Sequence, residues 1–403
     1  MHFSKADFPY FVHHPDVVYL DSAATTHKPA IVIDRSRDYL ERDYATIHRG
    51  QYSAALASEA LYRSVRQQLA THINAPHDEE VIFCASSTHA SNMAVEGLLR
   101  SGYIAPWATI ALSVIEHHST LLPWLRAEQT HQIKLHRLPV DSQGELVMDG
   151  LLEECGEKPA AVVVSAVSNV TWTVVDLAGL RQQLPPDCLL LVDASQHFPH
   201  LPIDVQAWDA DMVRATGHKC YALNGVGFLR VKKELLQQLE PLMMGGGAIS
   251  DVSKTGYTLL DAPDKFEPGT PNVLAVGSLG KAIEWLHEKG DYTALADQEQ
   301  PLIEFTLEHF ATLEHEGKLR LLGQKTAKGR VGVFSFACDG RQRLAQTASL
   351  HNICLRAGTH CAQPLHTALH LAWTCRISFW VYTDVNDLYV FFNFLEQALA
   401  KDS

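Results

Sequence analysis

The sequence predicts an α/β protein with a mostly parallel central sheet and a second, smaller α/β domain. Two observations lead to this prediction. Apolar, β-branched segments alternate with helical patterns through the first two thirds of the chain, and the alternation breaks at a cluster of prolines and glycines within residues 263–271. Such alternation is typical of a parallel sheet with helices on both faces. Because 403 residues suffice for two domains, we predict a large domain of residues 17–265 and a small domain of residues 1–16 and 266–403.

Short apolar runs and helical spacings define the individual elements. Apolar residues four apart from Leu61 to Ile73 predict a helix with one apolar face, and a similar spacing from Leu388 to Leu399 predicts the last helix. In parallel sheets ligands bind at the carboxyl ends of the strands, so functional residues should directly follow strands. The predicted strands are residues 81–84, 109–113, 134–138, 161–166, 189–193, 212–215 and 227–231.

The composition is that of a soluble globular protein. A formal net charge of −13 argues against binding to nucleic acid or to an anionic membrane. No apolar run is long enough to span a bilayer, and the first fifteen residues contain no apolar core of a signal peptide. Eight scattered cysteines without a CxxC pair indicate reduced thiols. We therefore expect a cytoplasmic protein.

The tetrapeptide Thr216-Gly217-His218-Lys219 directly follows a predicted strand. A lysine whose pKa is lowered by its surroundings can form a Schiff base with an aldehyde cofactor. The Thr216 hydroxyl and the His218 imidazole could donate hydrogen bonds to a phosphate. From the tetrapeptide alone, a surface lysine without a special role is an equal alternative.

Two other strand ends carry polar residues that suit a charged cofactor. Asp193 ends a buried strand, where a carboxylate can keep the nitrogen of a pyridine ring protonated. Ser86-Ser87-Thr88 precedes a predicted helix (about residues 88–100), and small hydroxyl residues at a helix N-terminus bind anions. Helix capping is the alternative in both places, and for Asp193 alone it is the stronger interpretation.

Histidines are frequent but do not predict a metal site. His117 and His118 follow another strand, where an imidazole can stack on a cofactor ring and move protons near neutral pH. Adjacent histidines rarely bind one ion, and no further ligands stand at a recognisable spacing. His366 and His370, four residues apart, are interpreted as one face of a helix.

Cys361 differs from other cysteines in its surroundings. It lies within residues 356–364, which are predicted as a loop, and a cationic neighbourhood there would favour the nucleophilic thiolate. Arg356 and Arg376 could each bind a carboxylate or form ordinary ion pairs. Apolar strand patterns predict inert core positions for Cys84, Cys188 and Cys338.

Together and in this order, the segments resemble the pyridoxal-phosphate (PLP) enzymes of fold type I in the class V aminotransferase family. More narrowly, they resemble its cysteine desulfurase and selenocysteine lyase branch. The resemblance covers nearly the whole chain. It is carried by YLDSAAT at 19–25, HRG at 48–50, EHHS at 116–119, VSNV at 167–170, VDA at 192–194, GHK at 217–219, GGG at 245–247, FEPGTPN at 266–272 and RAGTHCAQP at 356–364.

The resemblance implies a role for each candidate residue. Lys219 would bind PLP covalently and move protons at the substrate Cα, and the Cys361 thiolate would attack the substrate sulfur. His117 would stack on the ring and assist proton transfer. Asp193 would contact the pyridine nitrogen and Gln196 the ring hydroxyl. The phosphate would be bound by Ser87, Thr88, Thr216 and His218, together with Thr270 of the partner subunit. The substrate carboxylate would be bound by Asn169 and Arg376, with Arg356 nearby.

The implied function is cysteine desulfuration in a homodimer. L-cysteine (or selenocysteine) would leave alanine and a Cys361 persulfide for a sulfur acceptor protein of the SufE/CsdE type. The chain departs from the family where SSTH stands at 86–89, where Trp172 follows Asn169 by three residues, and where YALNG, with Leu223 at its centre, stands at 221–225. These departures leave two alternatives open: a selenocysteine lyase or cysteine sulfinate desulfinase, and a catalytically weakened sulfur-transfer scaffold.

Overall fold

The computed structural model of the chain describes residues 3–147, 155 and 158–400. All seven predicted central strands are present within one residue of their predicted bounds. The strands are β1 Val18–Tyr19, β2 Val81–Cys84, β3 Thr109–Ser113, β4 Lys134–Leu138, β5 Ala161–Ser165, β6 Leu189–Asp193, β7 Met212–Thr216, β8 Gly227–Val231, β9 Ile249–Val252, β10 Tyr257–Leu259, β11 Arg320–Leu321, β12 Val333–Ala337, β13 Ile353–Cys354, β14 Arg356–Gly358 and β15 Thr374–Ser378.

Helices connect most of these strands. They are α1 Pro9–His13, α2 Ala30–Asp38, α3 Ser53–His72, α4 Ser87–Arg100, α5 His118–His131, α6 Leu177–Gln183, α7 Lys233–Gln238, α8 Val273–Glu288, α9 Asp291–His315, α10 Arg341–Leu350, α11 Gln363–Ala368 and α12 Val385–Ala400. In the described part of the chain, no helix combines the length and the apolar character that crossing a membrane requires.

The central sheet has seven strands in the order β2-β8-β7-β6-β5-β3-β4. Strand β8 pairs antiparallel with both of its neighbours, and the other pairs along the sheet are parallel. Six strands therefore run in one direction, as predicted, and their carboxyl ends meet at one edge. The loops after β2, β3, β5, β6 and β7 consequently converge, which is where an α/β sheet binds its ligands.

Apolar clusters cover both faces of this sheet. One face packs on α4 and α5 through residues such as Leu98 and Trp124, and the other packs on α3 and α8 through residues such as Val65 and Ile283. Strands buried on both faces are expected to be apolar throughout, which explains the continuous runs by which they were predicted.

A second sheet of four strands, β11-β12-β15-β14, lies in the C-terminal third of the chain and is antiparallel. Its core contains Phe334, Phe336 and Phe391, the last from α12. The smaller C-terminal α/β unit of the predicted fold class is therefore present. The exact domain boundaries, 17–265 against 1–16 and 266–403, stay a prediction.

Two local predictions for the C-terminal part were wrong. Residues 356–364 are not a continuous loop, because Arg356–Gly358 forms β14 and α11 begins at Gln363. His370 does not share a helix face with His366, since α11 ends at Ala368 and His370 has a φ of 56°. The turn between β14 and α11 is what carries Cys361.

Candidate active site

A cavity of about 330 Å³ opens at the carboxyl ends of the central strands. Its size is in the range of small-molecule sites. It brings together nearly all the predicted site residues, namely Ser87, Thr88, His117, Asn169, Asp193, Gln196, Thr216, His218, Lys219, Arg356, Cys361 and Arg376. Thr270 is the exception, because it does not line this cavity and is exposed on the surface.

Lys219 ends the short 3-10 helix Gly217–Lys219 that directly follows β7. Burial, reinforced by Arg376 and Arg214 and opposed by Asp193, lowers the pKa of the Lys219 amine to about 8. A substantial fraction of this amine is therefore neutral near physiological pH, and the neutral amine is the form that attacks an aldehyde. Lys28 stabilises this turn, because its Nζ donates a hydrogen bond to the His218 carbonyl at 3.0 Å.

Asp193 is buried at the end of β6 and both of its carboxylate oxygens have partners. Oδ1 accepts from the Ser195 backbone N–H at 2.9 Å, and Oδ2 lies 2.8 Å from Arg214 Nη2. Burial raises the pKa of a carboxyl group, but here Arg214 and Ser195 outweigh it and hold the pKa of Asp193 below its ordinary value. The carboxylate is therefore ionised at neutral pH, as a partner of a pyridinium nitrogen must be.

The N-terminus of α4 forms another part of the cavity. The Ser86 side chain caps the helix by accepting from the His89 N–H at 3.2 Å, and Thr88 is exposed at the cavity. Ser87 is buried and its hydroxyl accepts a hydrogen bond from Ser195 Oγ at 2.8 Å. A phosphate at this end would therefore meet the Thr88 hydroxyl and the helix N-terminus rather than the Ser87 hydroxyl.

His89, which departs from the family pattern, points back into its own turn. Its Nδ1 accepts from the Ala85 N–H at 3.3 Å, and it does not line the cavity. The histidine at this position therefore stabilises the turn before α4 and is not part of the predicted anion site.

His117 is the N-cap of α5, and its Nδ1 accepts from the Ser119 N–H at 3.1 Å. Burial, and secondarily Lys219, lowers the pKa of His117 to about 4. The imidazole is therefore neutral at pH 7, and because Nδ1 accepts, its proton is on Nε2. Gln196 is buried and donates from Nε2 to the Ala23 carbonyl at 3.0 Å.

Cys361 lies opposite the strand ends in the turn before α11. His360 and Cys361 have φ values of 50° and 57°, an uncommon conformation for residues other than glycine. Two backbone contacts hold the turn: the His118 N–H donates to the Cys361 carbonyl at 2.8 Å, and Asn169 Nδ2 donates to the His360 carbonyl at 2.7 Å. Of the eight cysteines, all within the described residues, only Cys361 is exposed.

The predicted core cysteines Cys84, Cys188 and Cys338 are buried, which confirms their assignment. Burial raises the pKa of the Cys84 thiol to about 12 and that of Cys188 to about 11. These thiols are therefore protonated at neutral pH and poor nucleophiles.

Two arginines beside Cys361 share one carboxylate. Arg356 donates to Asp21 through Nε at 3.1 Å and Nη2 at 2.8 Å, while Arg376 Nη2 lies 3.6 Å from Asp21 Oδ1. Arg376 also donates to the Asn169 carbonyl at 2.9 Å. Its Nε is buried without a hydrogen-bond partner, so this guanidinium retains a donor for a ligand. The ion-pair alternative is therefore confirmed for both arginines, and because both also line the cavity, their binding of a substrate carboxylate stays a prediction.

Sequence reasoning missed Asp21 as a partner and Arg214 altogether. Asp21 belonged to a family motif, but its pairing with Arg356 spans 335 residues. Arg214 stands in the middle of β7, whose residues are all buried. A charged residue within a buried apolar strand requires a buried partner, and this signal was available from the sequence.

The side chains fit PLP and not a metal ion. An amine with a lowered pKa, an ionised buried carboxylate and a helix N-terminus line one cavity, which matches the aldehyde, the pyridine nitrogen and the phosphate of that cofactor. Among the described residues no group of three histidine, cysteine or acidic side chains could hold a metal ion.

The chain is similar to known proteins in sequence and in structure. The sequence model of the family Aminotransferase class-V matches residues 18–391. A cysteine desulfurase of Dickeya dadantii (strain 3937) is 35% identical over 94% of this chain and 92% of its own length. The crystal structure of the cysteine desulfurase CsdA (S-sulfonic acid) from Escherichia coli is 31% identical with a TM-score of 0.88, over 98% of this chain and 97% of that one. The apo cysteine desulfurase of Thermococcus onnurineus NA1 is 28% identical with a TM-score of 0.92 over the same shares. The chain therefore belongs to the class-V aminotransferase family, in its cysteine desulfurase branch.

Proposed function

We propose that the protein is a PLP-dependent cysteine desulfurase that converts L-cysteine to L-alanine and retains the sulfur on Cys361 as a persulfide. One observation carries the proposal: the exposed Cys361 and the Lys219 amine line the same cavity. A thiol that can accept sulfur and an amine that can bind an aldehyde cofactor are the two nucleophiles that this reaction requires.

Pyridoxal phosphate, when bound, stabilises the negative charge that develops at the substrate Cα. Asp193 would meet its pyridine nitrogen, and Lys219 would bind its aldehyde carbon. The helix N-terminus at Thr88, with Thr216 and His218, would hold its phosphate. Each of these groups lines the cavity and carries the charge or the donor that its assigned role requires.

Lys219 and His117 are suited to proton transfer at the reacting carbons. Lys219 titrates near pH 8 and can take a proton from Cα and return one. His117 is neutral, with its proton on Nε2, and so can donate a hydrogen bond from Nε2 to a group in the cavity, whereas it would pass on a proton only after taking one up. Arg376 and Asn169 lie beside one another and would bind the substrate carboxylate.

The nucleophile of the sulfur transfer is the thiolate of Cys361. Its Sγ attacks the sulfur of the bound cysteine and forms the S–S bond of a persulfide. The substrate C–S bond breaks, its electron pair stays with carbon, and that carbon takes up a proton to become the methyl group of alanine. No external oxidant or reductant is consumed.

The exposure of Cys361 supports delivery of the sulfur to an acceptor protein of the SufE/CsdE type. A persulfide on a buried thiol could not be reached by a second thiol, whereas Cys361 is both exposed and in a turn between β14 and α11. Loops of this kind commonly carry the groups that meet a partner.

A homodimer is the assembly that would give Thr270 its proposed role. Thr270 is exposed and does not line the cavity of its own chain. In a dimer it could reach the phosphate of the partner subunit. Sedimentation of the purified protein at assay concentrations should give a dimer. A fully active monomer would contradict this assignment.

The reaction can be tested with purified protein, PLP and L-cysteine without reductant. We expect free alanine and one added sulfur, about 32 Da, on the peptide that contains Cys361 by mass spectrometry. Alanine without added mass on that peptide would refute the role of Cys361. Bound PLP without alanine would retain the cofactor site and reject the substrate.

A further inference from the structure

We propose that Arg214 is a positioning residue of the active site, which fixes the orientation and the charge of Asp193 from outside the cavity. The inference rests on the proposed role of Asp193 toward PLP. Arg214 does not line the active-site cavity, whereas Asp193 does. Arg214 therefore acts through the carboxylate and not on a ligand.

The contacts of Arg214 connect separate parts of the cofactor site. Nη2 lies 2.8 Å from Asp193 Oδ2 and also donates to the Thr120 hydroxyl near the start of α5. Nη1 donates to the Ser87 carbonyl at 3.0 Å and to the Ser87 hydroxyl at the start of α4. One planar guanidinium thus links the ends of β6, α4 and α5, whose loops line the cavity.

Asp193 has little freedom in this arrangement. The Ser195 N–H donates to Oδ1 of Asp193 at 2.9 Å, and the Arg214 guanidinium and the Thr120 hydroxyl contact its Oδ2. The Ser195 hydroxyl in turn donates to the Ser87 hydroxyl at 2.8 Å. The hydrogen bonds form a closed ring that returns to Arg214. A satisfied buried network of this kind holds its members in one conformation.

Stability alone does not account for Arg214. Its side chain and that of Asp193 are each only 7% exposed, and burying such a pair commonly contributes little net stability compared with apolar residues of similar size. The same sheet contains a pair that serves as a comparison. Arg230 of β8 binds Glu80 at 2.6 Å, both are buried, and neither lines the active-site cavity.

The position of Arg214 predicts a measurable effect on the bound cofactor. Its positive charge lowers the proton affinity of the Lys219 amine, in the same direction as Arg376. Replacing Arg214 by a neutral residue therefore removes one positive charge from the site.

The test titrates the visible absorbance of the PLP-bound protein against pH. We expect Arg214→Met to raise the midpoint by about one pH unit, as for loss of a nearby buried charge, and to weaken PLP binding. Arg214→Lys retains the charge and should keep the midpoint. If Arg214→Met is not recovered folded, Arg214→Gln supplies the same change in charge.

Arg230→Met is the matched control, because it breaks a buried arginine–carboxylate pair outside the cavity. It should lower stability and leave the midpoint unchanged. A folded neutral variant of Arg214 with the midpoint and the PLP affinity of the natural protein would overturn the inference. A natural protein that binds no PLP would instead reject the proposed function, so the two failures are distinguishable.

Discussion

The two sides of the active-site cavity are built in opposite ways. The strand-end side, formed by Asp193, Lys219 and the residues that follow β2 and β3, belongs to a sheet buried on both faces. The cysteine side is the turn of residues 359–362, which contains an exposed thiol and two consecutive residues with positive φ. The first side is suited to holding a cofactor in one geometry, and the second to presenting a sulfur atom to another molecule.

Cofactor binding and sulfur transfer should therefore be separable by mutation. Two hydrogen bonds that connect the sides are donated by the His118 N–H to the Cys361 carbonyl and by the Asn169 side chain to the His360 carbonyl. Changes on the strand-end side should alter the cofactor spectrum. Changes on the cysteine side should leave the spectrum and alter transfer.

The largest effects are expected from Lys219→Ala and Cys361→Ser. Lys219→Ala removes the amine that binds the aldehyde, so both the visible absorbance of the cofactor and the production of alanine should be lost. Cys361→Ser should keep the absorbance and lose desulfuration of cysteine, because a hydroxyl is a far weaker nucleophile than a thiolate. Absorbance spectra and an alanine assay separate the two outcomes.

Cys354→Ser is the control for the second variant, since Cys354 is a half-buried cysteine of β13 that does not line the cavity. It should behave like the natural protein in both assays. If Cys361→Ser still released alanine from cysteine at the normal rate, the cysteine side would have no role in the chemistry and the comparison would fail.

The next effect is expected from Asp193→Asn. The neutral amide cannot keep a pyridine nitrogen protonated, so kcat should fall roughly 100-fold, as for loss of one preorganised electrostatic partner. The substitution also leaves Arg214 buried without its carboxylate, which should destabilise the protein by about 3–5 kcal/mol. Steady-state kinetics and denaturant unfolding measure the two effects.

The double variant Asp193→Asn with Arg214→Met separates the effect on stability from the effect on activity. It removes the unpaired buried charge, so most of the stability should return while the activity stays low. Recovery of activity with stability would mean that Asp193 supports only the fold.

The sequence predicted the strand-end side better than the cysteine side, for a physical reason. Continuous apolar runs define buried strands, and residues that follow parallel strands meet at one edge, so Lys219, Asp193 and His117 could be placed together. The turn around Cys361 depends on contacts with residues far away in sequence, such as Asn169 and Asp21. Local pattern contains no information about such pairings, and the extent of the loop and the helix assignment of His370 were accordingly wrong.

A smaller effect is expected where the two sides meet, from Asn169→Ala. The substitution removes the 2.7 Å bond from Nδ2 to the His360 carbonyl. A buried carbonyl left without its donor costs on the order of 1–3 kcal/mol, and the substrate carboxylate loses one of its proposed partners. The turn should therefore loosen, and kcat/KM for cysteine should fall about tenfold from the two effects together. The cofactor spectrum should be unchanged. Thr171→Ala is the control, because Thr171 lies two residues after Asn169 and its hydroxyl forms hydrogen bonds with the Gly144 carbonyl and the Thr173 hydroxyl instead.

The smallest effect concerns three hydrogen-bonded residues, namely His360 of the turn that contains Cys361, His366 of α11 and Thr374 of β15. His366 Nδ1 lies 3.0 Å from the Ala362 carbonyl, so this nitrogen must carry a proton, and Nε2 must then accept from the Thr374 hydroxyl at 3.0 Å. That hydroxyl in turn accepts from His360 Nε2 at 3.0 Å. Burial lowers the pKa of both histidines, which keeps them neutral and preserves this order of donors at pH 7.

His366→Leu removes the last acceptor of this chain. The Thr374 hydroxyl loses its acceptor and keeps only the bond it accepts from His360. The free energy of unfolding should therefore fall by about 1 kcal/mol, and sulfur transfer should slow by no more than a few-fold because Cys361 itself is untouched. His370→Asn is the matched control: His370 is exposed, it has positive φ, and asparagine tolerates that conformation. Denaturant unfolding of the two variants side by side should lower the midpoint for His366→Leu alone. Equal midpoints would show that the hydrogen bonds beneath the turn do not support it, and that the backbone contacts of Asn169 and His118 suffice to hold Cys361 in place.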